Sequence, residues 1–189
     1  TEFKKVFEEA TQRKKQNISK VSGTDYDIKD GGMSLRDEEL RQAIELLFFA
    51  YRDFTGEADA ILRDYEFCRA HHRVIYFIGR NPEITVTQLL VILKITKQSL
   101  ARVLGQLLYE GFVEQKTDAA DRRRRLHVLT QKGAELDSRL TTRQSHRIAS
   151  AYATAGSQAI GGFRQILRSI INQEDREYVD SFFDDGLGK

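Results

Sequence analysis

The chain has 189 residues, 40% of them hydrophobic, and a formal net charge of +2. This length fits one ordinary domain with arms, and the apolar content is enough for a packed core, which excludes a chain that is disordered throughout. A single cysteine excludes an internal disulfide framework and the apolar runs are too short to span a membrane, so we expect a cytoplasmic protein.

The N-terminal third predicts an extension followed by one long helix. Residues 1–33 contain a short amphipathic stretch and then a segment rich in Gly, Asp and Ser, which predicts a flexible extension. Ser34 is a candidate N-cap, because three acidic residues follow it in what would be the first helical turn. Apolar residues then recur at helical spacing to about residue 66, with Gly56 as a position where the helix could bend.

The middle of the chain predicts three helices, the last two separated by a very short turn. They are predicted over residues 66–79, 87–93 and 96–110, with a β-branched strand at 84–86 after the first. Asn81-Pro82 ends the first helix, because the residue before proline is disfavoured in helical geometry. Thr96 is the predicted N-cap of the third helix and Gly111 its left-handed C-cap.

After Gly111 the apolar period changes from about 3.6 to about 2, which indicates strands. Residues 112–115 and 126–129 predict a hairpin with its turn at 118–121, and helices follow from Thr130. Two helices on a short turn before a hairpin predict a fold that is mainly α with a small β-hairpin wing, a winged helix-turn-helix. The predicted domains are 1–33, a flexible extension; 34–66, a dimerisation helix; 67–133, the winged lobe; and 134–189, C-terminal dimerisation helices.

Positive charge is concentrated in the predicted winged lobe. Residues 67–133 contain 12 Lys and Arg against 5 Asp and Glu, whereas the remainder carries net negative charge. A local excess of this kind favours a polyanion partner.

The helix predicted over 96–110 has an apolar stripe that would seat it on the lobe, which leaves a polar face of the size that enters the DNA major groove. The candidate contact residues on it are Thr96, Lys97, Gln98, Ser99, Arg102 and Gln106. For this helix alone, an ordinary solvated face is the more common explanation.

Four consecutive arginines on the predicted hairpin favour DNA. Arg122, Arg123, Arg124 and Arg125 repel one another and have no nearby acidic run to pair with. Because a strand alternates its side chains, at least two of them must point away from the body. Narrow A·T-rich minor grooves attract inserted arginines, so we expect this wing to meet double-stranded DNA.

Residues 84–133 resemble the MarR family of winged helix-turn-helix transcriptional regulators. The sequence DAADRRRRLHVLTQKG, residues 118–133, is similar to that family's wing pattern DPxDRRxxxVxLTxxG without a gap. The resemblance implies that Lys97, Gln98, Ser99 and Arg102 face the major groove. It also implies that Arg123 enters the minor groove and that Asp121 positions the wing by pairing with a nearby arginine.

The sequence departs from that family at three places. Ala119 replaces the usual turn proline, Lys94 stands where glycine is frequent between the two helices, and Val91 stands where a small alanine is common. These departures concern the geometry of the two turns rather than the predicted contact residues.

The resemblance further implies a homodimeric, ligand-responsive repressor on a pseudo-palindromic operator, with a small aromatic or phenolic effector. The terminal helices would form the dimer, and Phe182 and Phe183 would be costly to leave in water. The candidate pocket residues are Tyr51, Arg52, His71, His72 and Tyr76, although such residues are more often ordinary surface or interface residues.

The remaining hypotheses concern other classes of function. Cys68 lies near a helix start and could sense oxidants, although a lone cysteine is more often a small apolar residue. No enzyme motif, zinc-type spacing or cofactor signature is present, so we expect neither catalysis nor a bound metal or cofactor. A winged helix that binds RNA or another protein is the alternative function.

Overall fold

The structure is a computed structural model that describes residues 26–28, 33–35 and 37–184, with side chains described for residues 37–180. The chain divides into two units, residues 1–53 and residues 54–189. The first unit contains strands β1 (Tyr26–Ile28) and β2 (Met33–Leu35), which pair antiparallel, and the first part of helix α1 (Asp37–Arg63).

The second unit contains the end of α1 and all later elements. They are α2 (Arg69–Arg80), β3 (Ile84–Thr85), α3 (Val86–Leu93), α4 (Lys97–Tyr109), β4 (Val113–Thr117), β5 (Arg125–Leu129), α5 (Gln131–Ala155), α6 (Ser157–Ile170) and α7 (Gln173–Asp184). The three strands form one antiparallel sheet in the order β3-β5-β4, with Val113 opposite Leu129 and Ile84 opposite His127. The prediction of a mainly helical fold with a small β wing is confirmed.

The start of α1 differs from the sequence prediction. Ser34 is not the N-cap, because it lies in β2 opposite Asp27, and the helix begins at Asp37. The acidic first turn is as predicted. The helix runs without a break through Gly56, since one glycine costs only about 1 kcal/mol and the buried Ala58 and Leu62 anchor the following turn. The amphipathic stretch at residues 1–16 lies outside the described residues.

Local capping explains how the two helices of the helix-turn-helix are separated. Thr85 and Gln88 form a reciprocal capping box at the start of α3, and Thr96 caps α4 by accepting the Ser99 N–H at 3.2 Å. Lys94 ends α3 in the left-handed region, at φ 48°. That conformation favours glycine, so the lysine costs about 1 kcal/mol there.

The core lies between α2, α4 and the start of α5. Fully buried side chains come from each of these helices: Val74, Ile75, Ile78, Leu100, Leu107 and Leu140. Phe112 fills the space at the base of the wing and packs edge-on against Tyr65 and Phe67. This packing seats α4 and the base of the wing on one shared core.

Candidate nucleic-acid interface

The outer face of α4 presents a set of exposed polar side chains. Leu100, Val103 and Leu107 are buried, as the apolar stripe predicts, and Lys97, Gln98 and Arg102 are exposed. Their placement is that of a helix with one face seated on a core and the other available to a ligand.

Two of the predicted contact residues, Thr96 and Ser99, also build the helix cap. The Thr96 hydroxyl donates to Ser99 Oγ at 2.9 Å and accepts the Ser99 N–H, although both residues remain exposed. Their hydroxyls therefore hold the N-terminus of α4, whose free amides and partial positive charge suit a phosphate oxygen.

Gln106 does not join the exposed set, contrary to the sequence prediction. It is half-buried, and its Oε1 lies 2.9 Å from His71 Nε2 of α2. The reason is its position on the flank of α4, about 110° around the helix from the centre of the buried stripe, where it still reaches the neighbouring helix.

The structure adds Gly105 and Tyr109 to the outer face of α4. Gln98, Arg102, Gly105 and Tyr109 follow one another at helical spacing, and Tyr109 is 88% exposed. A β-carbon on Gly105 would meet nothing within 4 Å, so no packing contact requires glycine there. The sequence signal for both residues is their helical spacing from Arg102, although neither is a charged or amide side chain.

The tip of the wing is built by two aspartates that each accept a backbone N–H two residues further on. Asp118 Oδ1 accepts the N–H of Ala120 at 2.8 Å, and Asp121 Oδ1 accepts that of Arg123 at 2.9 Å. Such side-chain turns impose a tight bend without a proline. They explain how the wing forms although Ala119 occupies the proline position.

The prediction that Asp121 pairs with an arginine side chain is therefore wrong. Asp121 holds the backbone of the turn, and it is Asp118 Oδ2 that pairs with an arginine, 3.3 Å from Arg124 Nη1. Asp118 has the more protected side chain, which is only 15% exposed, and this favours it as the partner of a guanidinium.

The four arginines fall into two pairs. Arg124 is held by Asp118, and Arg125 donates to Thr117 Oγ1 at 2.8 Å and to the Arg122 carbonyl. The side chains of Arg122 and Arg123 are exposed and have no ion pair with any residue that the structure describes. Two adjacent guanidinium groups are thus exposed at the wing tip. They lie in the turn before β5, so the turn exposes them and not the strand alternation that the sequence analysis assumed.

The turn between α3 and α4 is braced by the C-terminal helix. Lys94 Nζ lies 2.6 Å from Glu174 Oε1 and 2.8 Å from Asp175 Oδ2, both in the first turn of α7. These carboxylates raise the pKa of Lys94. The contact links the turn to α7, and its attraction offsets part of the free-energy cost of the left-handed backbone at Lys94. Val91, the third departure from the family pattern, is exposed and crowds nothing.

Of the five candidate effector residues, Tyr51 and Arg52 belong to the first unit and His71, His72 and Tyr76 to the second, and their role in an effector pocket stays a prediction. His71 and His72 are buried, and burial lowers the pKa of both rings. Arg52 pairs with Asp53 at 2.8 Å, and its guanidinium lies over Phe49. In the second unit, a cleft of about 680 Å³ lies between the end of α2, β5 and α5, and Asp137 and His146 line it. Burial raises the pKa of Asp137.

Cys68 is the N-cap of α2 and is exposed, with Sγ 3.4 Å from His71 Nδ1. Its proposed response to oxidants stays a prediction. Among the described residues, no cluster of three or more His, Cys, Asp or Glu could hold a metal ion. Within those same residues, none of the helices is both long and apolar enough to cross a membrane.

Comparison with known proteins shows similarity to transcriptional regulators. The profile of the MarR family matches residues 69–124. The HTH-type transcriptional regulator PetP of Rhodobacter capsulatus is 46% identical over 150 residues, which are 79% of this chain and 90% of PetP.

Two similar solved structures contain DNA. Streptococcus pneumoniae FabT in complex with DNA has a TM-score of 0.57 at 20% identity, over 70% of this chain and 99% of FabT. A putative MarR family transcriptional regulator from Listeria monocytogenes, complexed with a 26mer DNA, has a TM-score of 0.60 at 16% identity, over 77% of this chain and 95% of its own. At these identities the likeness establishes the fold, a winged helix with flanking helices.

Proposed function

This chain belongs to the MarR family of winged helix-turn-helix transcriptional regulators, which are not enzymes, and from that premise we propose that it binds double-stranded DNA sequence-specifically as a homodimer. In this proposal α4 lies in the major groove and the β4–β5 loop reaches the adjacent minor groove. The observation that carries it is the pair of exposed guanidinium groups, Arg122 and Arg123, which have no ion pair among the described residues and lie on the same lobe as the exposed Gln98 and Arg102.

The dimer is supported by apolar surface that a single protomer leaves uncovered. In the first unit, seven of the eight residues at 44–51 are apolar, and Ile44, Leu46 and Phe48 are each more than 60% exposed. A helix that is apolar on all sides needs a cover. In the second unit, α6 exposes Phe163, Ile166 and Ile170 on one face. A second copy supplies the cover and a second recognition helix, about one turn of DNA away, so the operator would be pseudo-palindromic.

We expect Ile166→Asp to convert the dimer to a monomer. A charge placed in an apolar interface without a partner costs roughly 3–5 kcal/mol, so the dimer dissociation constant should rise at least about 100-fold. Light scattering across a dilution series measures this. Gln165→Asp is the matched control, because it adds the same charge on the far side of α6 and should stay dimeric. A dimer of unchanged affinity with Ile166→Asp would remove α6 from the interface.

Selection of bound DNA from a random pool tests the proposed function directly. The same selection with Arg102→Ala tests whether Arg102 contacts a base. If Arg102 reads a base edge, its removal should relax the preference at that position by roughly 1–3 kcal/mol. Arg164→Ala, which removes an exposed arginine of α6, should leave the selected sequence unchanged. A uniform loss of affinity across all sequences would instead make Arg102 a phosphate contact.

The alternative partner, RNA, is separated by competition. The deep, narrow major groove of A-form RNA does not admit a helix such as α4, so double-stranded RNA should compete weakly with the operator. Equal competition would favour the RNA-binding alternative. Repression, and its relief by a small phenolic or aromatic effector, stay predictions from the family resemblance.

A further inference from the structure

A hydrogen bond joins the recognition helix to α2 at a site away from its outer face. His71 Nε2 lies 2.9 Å from Gln106 Oε1, with His71 only 6% exposed and Gln106 half-buried. Breaking a hydrogen bond in such surroundings leaves polar groups poorly solvated, which costs more than the bond itself contributes. The bond therefore couples the rotation of α4 about its own axis to the position of α2.

The surroundings of the ring fix the direction of this bond. The backbone N–H of Cys68 can only donate, and it lies 3.1 Å from His71 Nδ1, so Nδ1 accepts. In the neutral ring Nε2 then carries the proton and donates it to Gln106 Oε1. Burial lowers the pKa of His71 and the nearby charge of Arg102 adds to this, against the opposite effect of the hydrogen bonds to Gln106 and Cys68, so the net shift favours the neutral ring.

Packing prevents the ring from turning away. Phe67 stacks on His71 with ring centroids 4.6 Å apart and planes within 8°, and the Cys68 thiol lies against the Nδ1 edge. Phe67 is in turn packed on Phe112 at the base of the wing. The Nε2–H group that donates to Gln106 is thus held in place by residues packed at the base of the wing.

We propose that His71 and Gln106 are positioning residues for sequence reading, which set the rotation of α4 and through it the base preference of Gln98 and Arg102. Gln106 lies one turn after Arg102. A rotation of about 20° moves a side-chain tip about 6 Å from the helix axis by about 2 Å, more than a hydrogen bond to a base tolerates. This inference rests on the proposed DNA-binding function and assigns no DNA contact to Gln106.

The test compares the base preferences selected by four proteins: the parent, His71→Phe, Gln106→Leu and the double variant. His71→Phe keeps an aromatic ring on Phe67 and loses both ring hydrogen bonds, while Gln106→Leu removes only the acceptor. Each single change should lower the ratio of operator affinity to random-DNA affinity about 10-fold and relax the same set of base pairs. The double variant should be no worse than either single variant, because all three lack one and the same bond.

Gln106→Glu is the matched variant, because it keeps an oxygen that accepts the Nε2 proton. Its added charge should weaken operator and random DNA alike, with their ratio within about 3-fold of the parent. The proposal is overturned if Gln106→Leu relaxes a single base pair while His71→Phe keeps the parent profile, which is the pattern of a direct base contact. If His71→Phe does not fold, the two Gln106 variants decide the question.

Nitrogen NMR of the His71 ring gives a readout that needs no DNA. The parent should show the Nε2–H tautomer with a proton shift that changes in Gln106→Leu. A ring in the other tautomer, or one unaffected by Gln106→Leu, contradicts the pair. A parent that selects no sequence from the pool would overturn the proposed function itself, and the inference with it, whatever the NMR result.

Discussion

Arg123→Ala is expected to weaken operator binding about 5- to 150-fold, a loss of roughly 1–3 kcal/mol, while the fold and the dimer stay intact. The exposed guanidinium of Arg123 stands at the tip of the wing, where Asp121 fixes its backbone through a 2.9 Å hydrogen bond. Among the residues that the structure describes, the Arg123 side chain has no ion pair or hydrogen bond, so its removal should cost the fold little. Its effect is then confined to the partner it meets.

The other wing arginines provide graded comparisons for Arg123→Ala. Arg122→Ala should approach it in effect, since Arg122 is likewise free among the described residues. Arg124→Ala should cost less DNA affinity, because the charge of Arg124 is already partly neutralised by Asp118. Losing that exposed ion pair should also change the stability of the fold by only about 0–1 kcal/mol. Arg164→Ala removes one positive charge far from the wing and controls for net charge.

Titration over salt identifies what Arg123 contacts. Each phosphate contact that is lost should lower the slope of log affinity against log salt concentration by about 1. If Arg123 inserts into a narrow minor groove, its removal should also cost more affinity on operators with an A·T tract beneath the wing than on G·C-rich operators. Equal binding by Arg123→Ala and the parent protein at every salt concentration would contradict the wing assignment.

The elements that sequence predicted best are those decided by neighbours in the chain. The N-cap at Thr96 and the left-handed Gly111, at φ 72°, depend on residues within one turn, and both are as predicted. The strands predicted at 112–115 and 126–129 likewise agree to within two residues at each end with β4, Val113–Thr117, and β5, Arg125–Leu129. The fold class followed from the order of these local elements.

The predictions that failed depend on partners distant in the sequence or on turn geometry. Gln106 reads as an outward polar residue, and only the approach of His71, 35 positions earlier, draws it inward. Ser34 has the chemistry of an N-cap, but its pairing with β1 places it in a strand. Whether Asp118 or Asp121 meets an arginine is set by the two successive side-chain turns, which the motif letters do not encode.

The largest stability effect is expected at Gly133, the last residue of the wing motif. Gly133 donates its N–H to Thr130 Oγ1 at 3.1 Å in the first turn of α5, and the Phe112 carbonyl accepts the Thr130 N–H at 3.1 Å. These bonds draw the start of α5 against the backbone of Phe112. A β-carbon on Gly133 would overlap the Phe112 carbonyl oxygen, which is backbone and cannot rotate away.

Gly133→Ala should therefore lower the free energy of unfolding by about 3 kcal/mol or more, at the upper end of the range for overpacked sites. For a chain of this size the melting temperature should fall by roughly 6–12 °C. Gly161→Ala is the matched control: its β-carbon would meet nothing within 4 Å, so helix propensity should raise stability by up to about 1 kcal/mol. Urea denaturation of both variants measures the difference. Opposite signs would show that the motif glycine is required by the close approach of α5 to the wing, whereas a Gly133→Ala protein as stable as the parent would show that the two elements can separate at little cost.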